Sequence, residues 1–211
     1  STFQFIGLTF KGGRSNDRGG SFVIESYSSG FSGGGHPITR PKFVDCIFRD
    51  NAAGNSSSNN SSYGEGGAIY SGNANPIFEN CVFDSNYATS GGAIYLSGNP
   101  ESVAYTPTYI RNSKFTDNSA SDGGSNFASA QGGALTIGSV RHIIISNSSF
   151  TNNSATSLNS SARGGAIYIG SDWDPVNVDE VLIVNTRLSQ NVAVSQSNGT
   201  ANGGAIYIGG P

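Results

Sequence analysis

The string Gly-Gly-Ala-Ile-Tyr occupies residues 66–70, 91–95, 164–168 and 203–207, with a variant Gly-Gly-Ala-Leu-Thr at 132–136 and a degenerate Gly-Gly-Ser-Phe-Val at 19–23. A second element alternates with it, a phenylalanine followed three residues later by asparagine: Phe48 with Asn51, Phe83 with Asn86, Phe115 with Asn118 and Phe150 with Asn153. Leu188 with Asn191, and Phe10 with Gly13, complete six copies. Self-similarity on this scale means a stacked, one-dimensional architecture in which each repeat supplies one layer.

The layer is made of strands. Successive Phe positions are 38, 35, 32, 35 and 38 residues apart, a variation that helical repeats with near-fixed periods do not show. The segments long enough for a helix are filled with Gly, Ser and Asn, which disfavour one, and lack its apolar period. The invariant pieces are short and alternate with period two. The chain is therefore expected to be all-β, a right-handed parallel β-helix of about six coils. Each coil has three short strands joined by turns of variable length, and residues 1–211 form a single domain.

Aligning the copies gives the columns. Phe22, Ile69, Ile94, Leu135, Ile167 and Ile206 form one, and Ile24, Ser71, Leu96, Ile137, Ile169 and Ile208 a second on the same strand. A second strand contributes Phe5, Phe43, Phe78, Ile110, Ile145 and Ile183, and a third Phe10, Phe48, Phe83, Phe115, Phe150 and Leu188. Eleven of the first twelve positions are apolar, so these parities should face inward and stack like on like at about 4.8 Å per coil. Between the second and third strands lie Gly7, Asp45, Asn80, Asn112, Asn147 and Asn185, residue types that tolerate a left-handed backbone, so a sharp bend is expected there in every coil.

These paired elements resemble the repeats of chlamydial polymorphic outer membrane proteins, within the pectin-lyase-like β-helix superfamily. The resemblance covers nearly the whole chain and is carried by Gly-Gly-Ala-Ile and Phe-x-x-Asn, with Gly13 standing where the first copy's asparagine would be. It implies a β-helix scaffold and an adhesive or structural role at a surface.

The chemistry-bearing residues are sparse. Charged residues make up 12% and net charge is −3, so nothing attracts nucleic acid or an anionic membrane. No apolar run reaches membrane-spanning length and no signal peptide is visible. A chain that begins at Ser1 and holds no methionine is expected to be a processed product or a fragment of a longer one. Enzymes on this fold cut acidic polysaccharides with clustered carboxylates or a catalytic arginine. Here Asp45, Asp50, Asp84 and Asp117 near the third strand, and Asp172, Asp174, Asp179 and Glu180 later, read as solvated turn residues. His36 and His142 fall in different phases of the repeat. No catalytic residue, metal site or cofactor is expected.

Three features remain. Ala68 and Tyr70, with Ala93 and Tyr95, Ala166 and Tyr168, Ala205 and Tyr207, form the outward parity of the first strand, interrupted by Thr136. The tyrosines Tyr70, Tyr95, Tyr168 and Tyr207 would make a flat exposed stripe for sugar rings or another protein, unless loops cover it. Cys46 and Cys81 follow the bend column on adjacent coils, facing inward, either disulfide-bonded or as a reduced buried pair. Asn-x-Ser/Thr triplets begin at Asn55, Asn59, Asn60, Asn147, Asn152, Asn159 and Asn198. Asn147 is read as a bend residue, whereas Asn152 should point outward; Asn55, Asn59, Asn60, Asn152, Asn159 and Asn198 are the glycosylation candidates.

The favoured function is a non-enzymatic, extracellular or cell-surface structural or adhesive protein. Its partners would be other copies joined end to end into a filament, with glycans or cell-surface proteins also in reach. The alternatives are a carbohydrate-binding module and a polysaccharide lyase or hydrolase.

Overall fold

A computed structural model describes residues 3–26, 39–54, 64–98, 106–124, 128–170, 178–196 and 199–209. The described residues are strands and turns without a helix, and every strand pair is parallel. The strands Gln4–Ile6, Lys42–Val44, Ile77–Glu79, Thr108–Arg111, His142–Ser146 and Glu180–Val184 stack into a first sheet. Thr9–Lys11, Ile47–Arg49, Val82–Asp84, Lys114–Thr116, Ser149–Thr151 and Arg187–Ser189 form a second sheet, and the strands that follow each Gly-Gly form another six-stranded sheet, from Phe22–Glu25 to Ile206–Ile208. The described residues form a parallel β-helix of six rungs.

The expected registers hold. Phe5, Phe43, Phe78, Ile110, Ile145 and Ile183 pair in succession, as do Phe10 through Leu188 and Phe22 through Ile206. Phe43, Phe48, Phe78, Phe83, Phe115 and Phe150 are fully buried, and within each column the rings stack 4.4–5.3 Å apart.

Besides the three expected strands, each rung carries a fourth, two to four residues long, after the asparagine: Arg14–Ser15, Ala52–Ala53, Tyr87–Ala88, Ser119–Ser121, Ser154–Ser157 and Val192–Ser195. Its inward column is alanine, with Ala53, Ala88, Ala120 and Ala155 fully buried. Two residues of weak strand propensity are too short a signal to read as a strand. The pairing comes from the neighbouring rung.

Two corners separate these sheets, and both are left-handed. The bend column is as expected: Gly7, Asp45, Asn80, Asn112, Asn147 and Asn185 have φ between 48° and 66°. A second column lies just before the asparagines: Gly12, Asp50, Ser85, Asp117, Asn152 and Gln190, with φ between 55° and 72°. The presence of Ser85 and Gln190 obscures it in the sequence, because neither residue type favours this conformation.

The Phe-x-x-Asn element is explained by a buried amide ladder. Each asparagine accepts from the backbone N–H and the Nδ2 of the asparagine one rung earlier, and its own Nδ2 donates to the carbonyl of the earlier rung's phenylalanine. For Asn118, Nδ2 donates to Phe83 O at 2.9 Å and to Asn153 Oδ1 at 3.0 Å, while Oδ1 accepts from Asn86 N at 3.0 Å and Asn86 Nδ2 at 2.9 Å. The same bonds recur at Asn51, Asn86 and Asn153. Asparagine alone offers an acceptor and two donors at this reach.

The Gly-Gly element is equally constrained. Gly91 has φ +62°, and a Cβ on Gly92 would lie 2.0 Å from the Gly133 carbonyl oxygen of the next rung. Side chains are excluded where two rungs touch backbone to backbone.

One core position departs from this economy. Thr108 is fully buried in the first sheet, pairs with Ile143, and its hydroxyl has no partner among the described residues. Thr108→Val keeps the shape and removes the unsatisfied group, so it should raise stability by about 1 kcal/mol, about 2–4 °C in melting temperature. Calorimetry checks it, and a fall in melting temperature would mean that the hydroxyl is used.

Candidate functional site: the tyrosine ladder and the outer corners

The tyrosines do form a ladder, with Tyr70 stacked on Tyr95 at 5.8 Å and Tyr168 on Tyr207 at 5.7 Å. They do not form an exposed stripe. Tyr70 and Tyr168 are only 7% and 2% exposed, and Tyr95 and Tyr207 are half-buried. The Tyr70 and Tyr168 rings lie back along their own strands over a glycine and the Tyr95 hydroxyl reaches a glycine of the next rung: added Cβ atoms at Gly72, Gly170 and Gly138 would come within 3.0–3.2 Å of the rings or hydroxyls of Tyr70, Tyr168 and Tyr95. This glycine, two residues after Tyr70, Tyr168 and Tyr207, was the available signal. Burial pushes the Tyr70 and Tyr95 hydroxyls above the usual tyrosine range.

The alanines beside them are not outward at all. Ala68, Ala93, Ala134 and Ala166 are fully buried and belong to the core. The Ala93 carbonyl accepts from both Ala68 N at 2.9 Å and Ile69 N at 3.0 Å, and the pattern repeats at Ala134, Ala166 and Ala205. Two consecutive N–H groups sharing one carbonyl is a bulge-like irregularity that shifts the alternation by one residue. Alanine and isoleucine therefore both point inward, against the period-two reading.

Flanking the tyrosines is a polar column immediately before each Gly-Gly: Arg18, Glu65, Ser90, Gln131, Arg163 and Asn202, paired rung to rung. Arg18 Nε donates to Glu65 Oε2 at 2.8 Å, and the guanidinium carbon sits 4.6 Å from the Tyr70 ring centroid. Burial raises the Glu65 carboxyl above its ordinary range, and Arg18 pulls the other way. Ser90 Oγ donates to Thr136 Oγ1 at 3.1 Å, so the threonine that interrupts the tyrosines joins this polar column.

The acidic residues are dispersed. Asp84 is paired with Arg49 at 2.9 Å, Asp50 with Lys11 at 3.7 Å, Asp179 with Arg141 at 3.9 Å, and Glu180 with His142 at 3.6 Å. Asp45 accepts from Asn80 Nδ2 at 3.1 Å, and Asp117 accepts from Asn152. Asp172, Asp174 and His36 lie outside the described residues. Among the described residues no three His, Cys, Asp or Glu side chains group as a metal site would require.

Cys46 and Cys81 are free, buried thiols. They occupy a column with Ser113, Ser148 and Thr186, whose hydroxyls each donate to the carbonyl two residues earlier at 2.9 Å. The thiols make the same contact less well, Cys46 to Val44 O at 3.3 Å and Cys81 to Glu79 O at 3.4 Å. Burial pushes the Cys81 thiol up to about 12, so it stays protonated and unreactive in the folded chain. Replacing both cysteines by serine should leave stability unchanged within about 0.5 kcal/mol, or improve it, because the hydroxyl is the stronger donor. Denaturant titration checks this; a loss above about 2 kcal/mol would show that sulfur packing dominates.

Of the glycosylation candidates, Asn55, Asn59, Asn60 and Asn198 lie outside the described residues. Asn152 is exposed, as expected, but its amide donates to Asp117 on the preceding rung. Asn159 is exposed with its Nδ2 on Gly124 O at 2.6 Å.

Compared with known families, residues 80–97 and 147–170 match the Chlamydia polymorphic membrane protein repeat. Each matched segment starts at a left-handed corner, Asn80 or Asn147, and runs through the asparagine ladder to the strand after Gly-Gly. Neither the curated proteins nor the solved structures compared with the chain gave a match. Repeat motif and rung geometry coincide, and the chain is a β-helix built from repeats of the chlamydial polymorphic membrane protein type.

Proposed function

We propose that this protein is a non-enzymatic, extracellular surface scaffold, structural or adhesive in role, whose rungs continue end to end from one copy into the next. Surface display is supported by the match of residues 80–97 and 147–170 to a membrane-protein repeat. The observation that supports end-to-end joining is where the exposed apolar side chains lie. Phe3, Ile6, Leu8 and Val23 are on the first rung, and Leu182, Val184, Val192, Val194 and Ile208 on the last. Among the described residues, Leu158 is the one other exposed large hydrophobic. Among the described residues the first and last rungs each present one unpaired strand edge, a surface that other sheet proteins cover.

A copy seated on the last rung would place Phe5 over Ile183, Phe10 over Leu188 and Phe22 over Ile206, extending each apolar column. Leu8 and Gly13 would then face Thr186 and Asn191, and neither offers the side-chain acceptor found at interior rungs. The joint is therefore weaker than the rod, and contacts of this kind propagate without closing. The burial of Tyr70 and Tyr168 removes the support for a carbohydrate-binding stripe.

Sedimentation velocity over a range of concentrations tests the reading. Association should rise with concentration, Ile208→Asp should suppress it without altering the circular dichroism of the monomer, and Leu8→Thr should strengthen it by returning an acceptor to Thr186. Filaments should repeat at about 29 Å, six rungs of about 4.8 Å. A chain that remains monomeric at every concentration refutes it.

A further inference from the structure

We infer that Asn147 is an acceptor for an N-linked glycan, one whose attachment leaves the corner it occupies intact. Oligosaccharyl transfer joins the asparagine Nδ2 to the sugar C1. It breaks the C1–O bond to a lipid diphosphate, which leaves with the electron pair, and the amide gives up one proton. In the folded product that nitrogen carries a bulky group and no longer offers both hydrogens, so a side chain whose amide ties two rungs together is a poor host.

Three triplets can be compared on this basis. Asn152 spends its Nδ2 on Asp117 of the preceding rung, and Asn159 spends its own on Gly124 O. Asn147, heading Asn147-Ser148-Ser149, is exposed and makes no side-chain hydrogen bond. Its neighbours along the corner, Asn112 and Asn185, are exposed as well, so a glycan leaves the rod radially without crossing a sheet.

The bend and the acceptor roles do not compete at this residue. What the corner uses is the backbone, φ 49° at Asn147, and Gly7 fills the same column at φ 66° with no side chain. The fold spends the conformation of Asn147 and leaves its carboxamide unused. Buried Ser148 donates to Ser146 O at 2.9 Å and so holds the corner from inside.

This inference rests on the extracellular part of the reading above, and its test is independent of assembly. The 211-residue chain is secreted from a eukaryotic cell, which supplies the lipid-diphosphate-linked oligosaccharide, and glycan occupancy is mapped by peptide mass spectrometry. Asn147 should be occupied in most molecules, with Asn152 and Asn159 severalfold lower. Asn147→Gly, which keeps the left-handed corner as Gly7 does, should remove one glycan mass and leave the melting temperature of the deglycosylated protein unchanged. An unmodified Asn147, or occupancy at Asn152 or Asn159 equal to it, overturns the assignment. A lowered melting temperature for the deglycosylated Asn147→Gly chain overturns it too, because the carboxamide would then be structural. A chain that carries the Asn147 glycan yet never associates would refute end-to-end joining alone.

Discussion

Asn118→Leu should destabilise the chain by about 4 kcal/mol or more, although the two side chains have the same branching and the same number of heavy atoms. The substitution removes the partner of three buried groups: the Phe83 carbonyl, the Asn86 backbone N–H and one hydrogen of Asn86 Nδ2, whose other hydrogen stays on Phe48 O. Each orphaned group costs about 1–3 kcal/mol when water cannot reach it. Asn118 and Asn86 are at most 1% exposed, so no solvent replaces the lost bonds. The position matters as much as the residue. Asn191, on the last rung, is half-buried and makes its bonds to one side only, so Asn191→Leu should cost less than half as much. Urea unfolding followed by far-ultraviolet circular dichroism measures both. A loss under about 1 kcal/mol at Asn118 would mean that the ladder is ornamental to stability.

The same ladder shows what the sequence could and could not convey. Phe-x-x-Asn announced a repeat, and the spacing placed Phe10 through Leu188 in one column correctly, because stacking like residues needs only register. What the asparagine does was not legible. A buried side-chain ladder and an exposed turn residue look alike in one dimension, and the choice is settled by which corner residue takes the left-handed conformation. The Asp50, Ser85, Asp117, Asn152 and Gln190 corner, one residue before each asparagine, turns the chain so that the amide points inward.

The tyrosines failed for a different reason. Alternation tells which face of a strand a residue occupies, and Tyr70 does lie opposite Ile69 and Ser71. It does not tell whether that face meets water, which depends on segments elsewhere in the chain and on how the ring folds back along its strand. The alanines failed because alternation itself is interrupted at Ala68, where a shared carbonyl lets two consecutive residues point inward. Sequence period is a property of regular backbone, and Gly-Gly marks the place where this backbone is irregular.

Phe115→Ala should cost about 3–5 kcal/mol, the range for truncating a buried aromatic. Phe115 has no exposed surface and lies between Phe83 and Phe150 at ring separations of 4.6 and 4.4 Å, with planes within 7° and 4° of parallel. Removing the ring takes a stacking partner from both neighbours and opens a void that the rungs cannot collapse, because the flanking backbones are held apart by their own hydrogen bonds. Two comparisons separate this mechanism from a general loss of bulk. Phe115→Leu should cost under about 1.5 kcal/mol, since Leu188 already fills the same column on the last rung and a hydrophobic side chain of similar size is tolerated. Phe10→Ala should cost less than Phe115→Ala, because Phe10 is only partly buried and has a ring of its own column on one side alone, Phe48 at 5.0 Å. Denaturant titrations of the three variants decide it. Equal losses at Phe10 and Phe115 would mean that stability is not carried by the continuity of the column, and the rod would have to be held together mainly by its backbone and amide ladders.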